Sequence, residues 1–236
     1  MRPLPPGPPQ PCRRRTVLGI KDRPGTFAQY LALPEKNLHL VPEDLADEAA
    51  VFTEPLAAAL QVLETTTISA RDRVLVVGDG RLGLLVSWVL ALTGAAVHLT
   101  GHHPDHLQLA QPYSIATFLE KDLPSGDYDV VVEASGSTGG LNLALARVRP
   151  RGAVVLKSTY AGRYPLDPAA LVVPEVRLLG SRCGPFPGAL RLLRQGWVDP
   201  RPLIARTFPL AQGLEALAEA RRSGVLKVLL DCREAG

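Results

Sequence analysis

Gly78-Asp79-Gly80-Arg81-Leu82-Gly83 is the segment whose residue types and spacing fit a chemical task most clearly. It lies between a β-branched stretch, Arg73-Val-Leu-Val-Val77, and a helical stretch that begins at Arg81. Glycines at this G-x-G-x-x-G spacing meet three demands of a bound pyrophosphate. Gly78 permits the tight turn, Gly80 lets phosphate oxygens approach the main chain, and Gly83 lets the helix pack close to the strand. N–H groups at the helix start, from Arg81 and Leu82 onward, have no acceptor one turn back and attract negative charge. The ligand expected here is an adenine dinucleotide. An accidental glycine turn in an α/β core is the alternative.

The end of the second strand bears on which dinucleotide. An NAD site places Asp or Glu there to accept from the ribose 2′-hydroxyl. This chain has Thr100-Gly101-His102-His103 and no strand-end carboxylate before Asp105. Without the acid, a 2′-phosphate meets no repulsion, and an imidazole can donate to it. The pattern favours NADP over NAD, with Gly101, His102 and His103 at the adenosine ribose or its phosphate. Solvated turn histidines are the alternative. Paired histidines also suggest a metal, but no nearby Cys, Asp or Glu completes a ligand spacing in sequence. Ligands in such sheets collect at carboxyl ends of strands, which adds Glu133-Ala-Ser-Gly136 and Lys157-Ser-Thr159. Small residues such as Ser135 let a nicotinamide ring lie close to the backbone. Lys157 either lines that site or stands in solvent.

Other chemistries lack their parts. No Tyr lies four residues before a Lys, and there is no Gly-Lys-Ser/Thr phosphate loop or Gly-x-Ser-x-Gly elbow. Cys183 has no histidine near it in sequence.

The elements that position these residues alternate. Strand-like runs at 73–77, 96–100, 128–133, 152–157 and 176–180 are interleaved with helical runs at 81–93, 104–111 and 139–148. Such alternation implies βαβ units and a mostly parallel, doubly wound sheet covered on both faces. A helix at 54–63 precedes it; helices at 187–195 and 211–223 and a strand at 225–230 follow. Thr16–Ile20 and Gly25–Leu31 read as short strands separated by an Asp-Arg-Pro-Gly turn. Residues 1–11 are too proline-rich for a signal peptide and read as an extended polyproline-II leader, with an SH3-type ligand as the alternative.

Composition narrows the function classes. Of 236 residues, 46% are hydrophobic and 21% charged, which excludes wholesale disorder. Twenty-six basic and 23 acidic residues leave +3, so no basic face for nucleic acid stands out. Cys12, Cys183 and Cys232 are too scattered for a disulfide framework, and a reduced, cytoplasmic setting is expected. The longest apolar run, residues 82–97, is broken by Ser87, Thr93 and Gly94 and is too short to span a membrane.

Taken in order, Gly25-Thr-Phe-Ala-Gln-Tyr-Leu31, Val41-Pro-Glu-Asp44, Glu54-Pro-Leu-Ala-Ala58, the Gly78 loop, Val132-Glu-Ala-Ser-Gly136 and Leu226-Lys-Val-Leu-Leu230 resemble the medium-chain dehydrogenase/reductase family, its zinc-type alcohol and polyol dehydrogenases. The resemblance implies a Rossmann domain at 54–185, flanked by parts of a GroES-like β domain at 16–53 and 186–236, with residues 1–15 as a leader. It implies NAD(P)-dependent hydride transfer on a small alcohol or carbonyl compound, with no nucleic-acid or membrane partner. It also implies a homodimer joined along Val176–Ser181, for which an inner strand is the alternative. Lys227 resembles a basic position near the pyrophosphate, and Glu54 a zinc ligand of the polyol-type members. The rest of the zinc set is missing: no histidine precedes a glutamate, and Cys12 resembles the last of four structural-zinc cysteines. One carboxylate cannot hold a tetrahedral zinc, and Glu54 serves equally well as a helix N-terminal acid. The chain thus resembles a family member shortened at its N-terminus. The alternatives are a non-catalytic dinucleotide-binding module or a zinc-independent, quinone-reductase-like enzyme.

Overall fold

The computed structural model describes residues 16–159 and 163–233, so Cys12 and the proline-rich leader lie outside the described residues. The chain divides into two compact units, one spanning Val41–Pro202 and the other formed by the chain before residue 41 together with Leu203 onward.

The larger unit contains α1 (Asp47–Ala50), α2 (Thr53–Thr65), β1 (Arg73–Val77), α3 (Arg81–Ala91), β2 (Ala96–Gly101), α4 (Pro104–Gln108), β3 (Ala116–Leu119), β4 (Tyr128–Glu133), α5 (Thr138–Arg147), β5 (Val148–Leu156), α6 (Ala169–Val172), β6 (Arg177–Gly180) and α7 (Phe186–Arg194). Its strands form one parallel sheet in the order β3-β2-β1-β4-β5-β6, a doubly wound arrangement. Strands at the centre of such a sheet are covered on both faces, which is why β1 and β4 are continuous β-branched runs rather than alternating ones. Val74 to Val77 in β1 and Val130 to Glu133 in β4 are buried without a break.

α5 brings Leu141 and Ala144 onto the sheet face formed by Leu75, Val77, Val131 and Val154. α3 packs on β1 and β2, and every residue from Gly83 to Leu90 is buried. That burial explains the apolar run at 82–97 as core; no described helix is long and apolar enough to cross a membrane. α7 packs on α2. It therefore belongs with the Rossmann unit, whose observed limits, 41 and 202, lie outside the expected 54 and 185.

The smaller unit holds β7 (Ile204–Pro209), α8 (Gly213–Glu219) and β8 (Lys227–Asp231), with β7 and β8 paired in parallel. The strands expected at 16–20 and 25–31 do not form. A single antiparallel bridge, Val17 to Lys21, closes a turn there. Ile20, Phe27 and Tyr30 are exposed at 80%, 67% and 83%, so no neighbouring strand rewards extended pairing. β3, in contrast, lies in a segment to which the sequence reading assigns no element.

Candidate functional site

The strand ladders continue past the carboxyl ends of the sheet. Gly78 N–H donates to the Thr100 carbonyl (2.9 Å), Ala134 N–H to Val77 (2.8 Å), Lys157 N–H to Glu133 (2.9 Å) and Ser181 N–H to Leu156 (3.0 Å). These bonds hold residues 78, 134, 157 and 181 in one row along the carboxyl edge. The strand order reverses between β1 and β4, and the crevice outside that reversal is where open α/β sheets bind ligands.

Among the described residues, the buried charged side chains are Asp79, Glu133 and Lys157. All three stand at this edge, just after β1, at the end of β4 and just after β5. Buried charge is costly unless satisfied, and each of the three is held. Glu133 Oε1 accepts from Ser135 N–H (2.8 Å) and from the Ser135 hydroxyl (2.6 Å). Ser135 is thereby committed to Glu133 and braces the loop after β4. Lys157 Nζ donates to the Arg182 carbonyl (2.9 Å) and reaches Ser181 Oγ at 3.3 Å. Burial lowers this amine to about 8, against the opposing pull of the Cys183 and Glu54 charges. Lys157 is therefore an inward-facing residue of the edge, and the solvent-facing alternative falls.

The glycine loop is built as its spacing requires. Gly78 has φ +114°, and a Cβ there would stand 2.8 Å from the Ala134 carbonyl and the Ser135 Cα, so the loops after β1 and β4 touch through bare backbone. A Cβ on Gly83 would overlap the Gly78 carbonyl oxygen, which fixes α3 tightly against the loop. Gly80 is different. It has ordinary extended angles, φ −72° and ψ 172°, and nothing lies within 4 Å of its Cβ position. No packing demand explains glycine there, and the space is open for a ligand. No side chain caps the N-terminus of α3. Arg81 is exposed and Leu82 half-buried at its first turn. A cradle of this kind fits a dinucleotide pyrophosphate.

At the end of β2 the structure corrects the sequence reading. A carboxylate does stand there, supplied by Asp79 of the glycine loop. Its Oδ2 accepts from His102 N–H (2.9 Å) and His103 N–H (2.6 Å), and His103 Nδ1 lies 3.1 Å from the same oxygen. His102 instead points outward, its Nε2 3.2 Å from Glu120 Oε2 with 72% of the side chain exposed. Both imidazoles assigned to a 2′-phosphate thus already face carboxylates. Gly101 is packed hard against Asp79. The Thr100 hydroxyl beside it is buried with no hydrogen-bond partner.

Asp79, His103 and His106 also form the group of three potential metal ligands among the described residues, with ligand atoms within 4.8 Å of one another. Their polar atoms are already engaged with each other and with the loop: His106 Nδ1 lies 3.1 Å from the Asp79 carbonyl oxygen. The sequence reading missed Asp79 and His106. An acid inside G-x-G together with a glycine at the strand end was the available signal. Glu54 is exposed in the first turn of α2, and that group of three does not include it. Glu54 therefore has no companion ligands for a catalytic zinc, which needs three, and the Asp79 group consists of side chains already bonded within the glycine loop. Lys227 opens β8 in the smaller unit and is half-buried.

No protein-family model matches the chain. D-arabitol-phosphate dehydrogenase of Enterococcus avium is 26% identical over 238 aligned positions, covering 93% of this chain and 67% of that enzyme. Alcohol dehydrogenase TADH from Thermus sp. ATN1 superposes with a TM-score of 0.86 at 26% identity, over 94% of this chain and 71% of that one. A Sinorhizobium meliloti 1021 protein described as a zinc-binding dehydrogenase, bound to NADP, superposes with a TM-score of 0.84 at 26% identity, over 93% and 69%. The chain thus spans about two thirds of the length of the curated relative, and 58% of a further solved neighbour, L-idonate 5-dehydrogenase of Escherichia coli. By sequence and by fold, this chain is similar to alcohol and polyol dehydrogenases.

Proposed function

We propose that the chain binds a nicotinamide adenine dinucleotide across the carboxyl edge of its sheet, as the coenzyme site of an alcohol dehydrogenase-like oxidoreductase. The observation that supports this most strongly is the glycine loop at the strand-order reversal, where Gly80 leaves an unfilled space beside the uncapped start of α3. Gly78, Gly80, Arg81, Leu82 and Gly83 would hold the pyrophosphate. Gly101, His102 and His103 would border the adenosine ribose. Ser135 and Lys157, along the same edge, would border the nicotinamide. When bound, the coenzyme would supply the hydride acceptor or donor for an alcohol or carbonyl substrate.

The chain's own residues have narrower roles. The main chain at 78–83 orients the phosphates, and the Glu133–Ser135 bonds keep the loop after β4 rigid against Gly78. The Lys157 amine, brought to about 8, places positive charge at the edge near neutral pH and loses it in mild alkali. Zinc enters none of these roles, because Glu54 has no companion ligand among the described residues.

That missing ligand set favours a second reading, a dinucleotide-binding module without turnover. The two readings separate in one assay series. Coenzyme binding with reduction of a carbonyl panel supports the oxidoreductase, and binding without turnover supports the module. NADP preference rests on the lack of an acid at residue 101, and Asp79 weakens that reasoning. A homodimer through β6 is supported by its place as the outermost strand, with one edge unpaired within the sheet. Sedimentation of the purified chain tests it: a strictly monomeric species contradicts pairing.

A further inference from the structure

We propose that Asp79, inside the glycine loop, is the residue that selects the coenzyme: it accepts from the adenosine ribose 2′-hydroxyl and favours the unphosphorylated form, in place of a carboxylate at residue 101. The proposal rests on the dinucleotide site argued above and deepens it.

The first support is steric. A Cβ built on Gly101 would overlap Asp79 Cβ and Cγ and stand 2.5 Å from Asp79 Oδ2. The Asp79 side chain therefore fills the volume that any side chain at 101 would enter. Residues 79 and 101 form an exclusive pair, so an acid at one requires glycine at the other. A carboxylate thus reaches the end of β2 from the neighbouring loop.

The second support is the way the carboxylate is held. It is only 8% exposed, and Oδ2 takes two backbone N–H donors and the His103 ring. An ionised carboxylate has about four acceptor positions. Oδ1 has one longer approach, 3.3 Å from His103 Nδ1. It keeps acceptor capacity, and the rigid Oδ2 anchoring means that little ordering entropy is lost when a hydroxyl donates to it.

The third support concerns charge. A 2′-phosphate would bring a further negative charge to a buried carboxylate, and Glu120 stands nearby on His102. His103 already faces Asp79 and His102 already faces Glu120, so neither is an uncommitted cation for a phosphate. Like charges in a poorly hydrated site repel strongly, and a ribose hydroxyl avoids that cost.

The test is equilibrium titration of the full chain with NADH and with NADPH, followed by nucleotide fluorescence, with thermal unfolding recorded for each variant. The wild type binds NADH at least about tenfold more tightly than NADPH. Asp79→Asn keeps the side chain's size while removing its charge, and Asp79→Gly removes it altogether. Each weakens NADH by about tenfold to a hundredfold, the range for a hydrogen bond to a charged group, and erases the preference. Gly101→Asp alone lowers the unfolding temperature and both affinities, because its Cβ has no room. The exchange Asp79→Gly with Gly101→Asp restores NADH binding and the preference. A wild-type preference for NADPH, an unchanged coenzyme ratio in Asp79→Asn, or a double variant no better than Gly101→Asp overturns the proposal. A folded wild type that binds neither coenzyme overturns the dinucleotide site itself, and the proposal with it.

Discussion

Substituting alanine for glycine at positions 80 and 83 separates ligand binding from packing within one six-residue loop. At Gly83 the added Cβ would overlap the Gly78 carbonyl oxygen and stand 2.9 Å from its carbon. Ordinary contact needs about 3.4 Å or more, and both partners are backbone, so α3 has to move away from the loop. α3 is buried from Gly83 to Leu90, and overpacking against an immobile neighbour costs typically about 1–3 kcal/mol, with this site at the upper end. For a unit of this size that is a fall of roughly 6–12 °C in unfolding temperature, at about 2–4 °C per kcal/mol. At Gly80 the Cβ meets nothing within 4 Å and the backbone angles suit any residue. Gly80→Ala therefore leaves stability unchanged or raises it by about 0.4–1 kcal/mol, through a less flexible unfolded chain. The same methyl group would stand where the pyrophosphate approaches. Each charge-assisted hydrogen bond lost there lowers affinity by about tenfold to a hundredfold. Scanning fluorimetry and NADH titration of both variants provide the readout. A Gly80→Ala protein that binds NADH as the wild type does would place the phosphates elsewhere. A Gly80→Ala protein that unfolds early would contradict the open space beside that residue.

Two further outcomes follow from burial and exposure. Lys157 titrates at about 8 in the folded chain against 10.5 ordinarily, so between those values the unfolded chain holds more protons. Stability relative to Lys157→Met should rise as pH passes from about 8 to 10.5, whereas below 8 the folded chain bears the whole burial penalty of the ammonium. Denaturant unfolding of both proteins across pH 7–10 tests this, and a constant difference would contradict it. Ile20, Phe27, Tyr30 and Leu40 are exposed at 80%, 67%, 83% and 96%, more apolar surface than one short segment commonly leaves in water. The isolated chain should self-associate above micromolar concentration; a sharp monomer by sedimentation at all concentrations would refute that.

The parts of the fold legible in sequence were those where burial leaves one solution. β1 and β4 appear at their expected limits, because a strand covered on both faces reads as an unbroken apolar run. The glycine loop was legible because close backbone approach excludes other residues. β3 was not, since Ala116–Leu119 is a short edge strand with no fully buried position. The strands expected at 16–31 failed for the opposite reason: local β-propensity is weak without a partner to pair with. At the site, a strand-end acid is expected at residue 101, one strand position, and the carboxylate stands instead at residue 79. Asp79 and Gly101 are distant in sequence, and their mutual exclusion exists only once β1 and β2 lie side by side. Lys157 was ambiguous because a strand-end lysine carries no sequence mark of its burial.

Enclosure of an adenine dinucleotide by residues 73–105 is open to isothermal titration calorimetry of the folded chain with NADH and NADPH. Saturable one-site heat is expected with NADH, and a weaker isotherm with NADPH. Absence of heat with both coenzymes, in protein whose cooperative unfolding is intact, would contradict it.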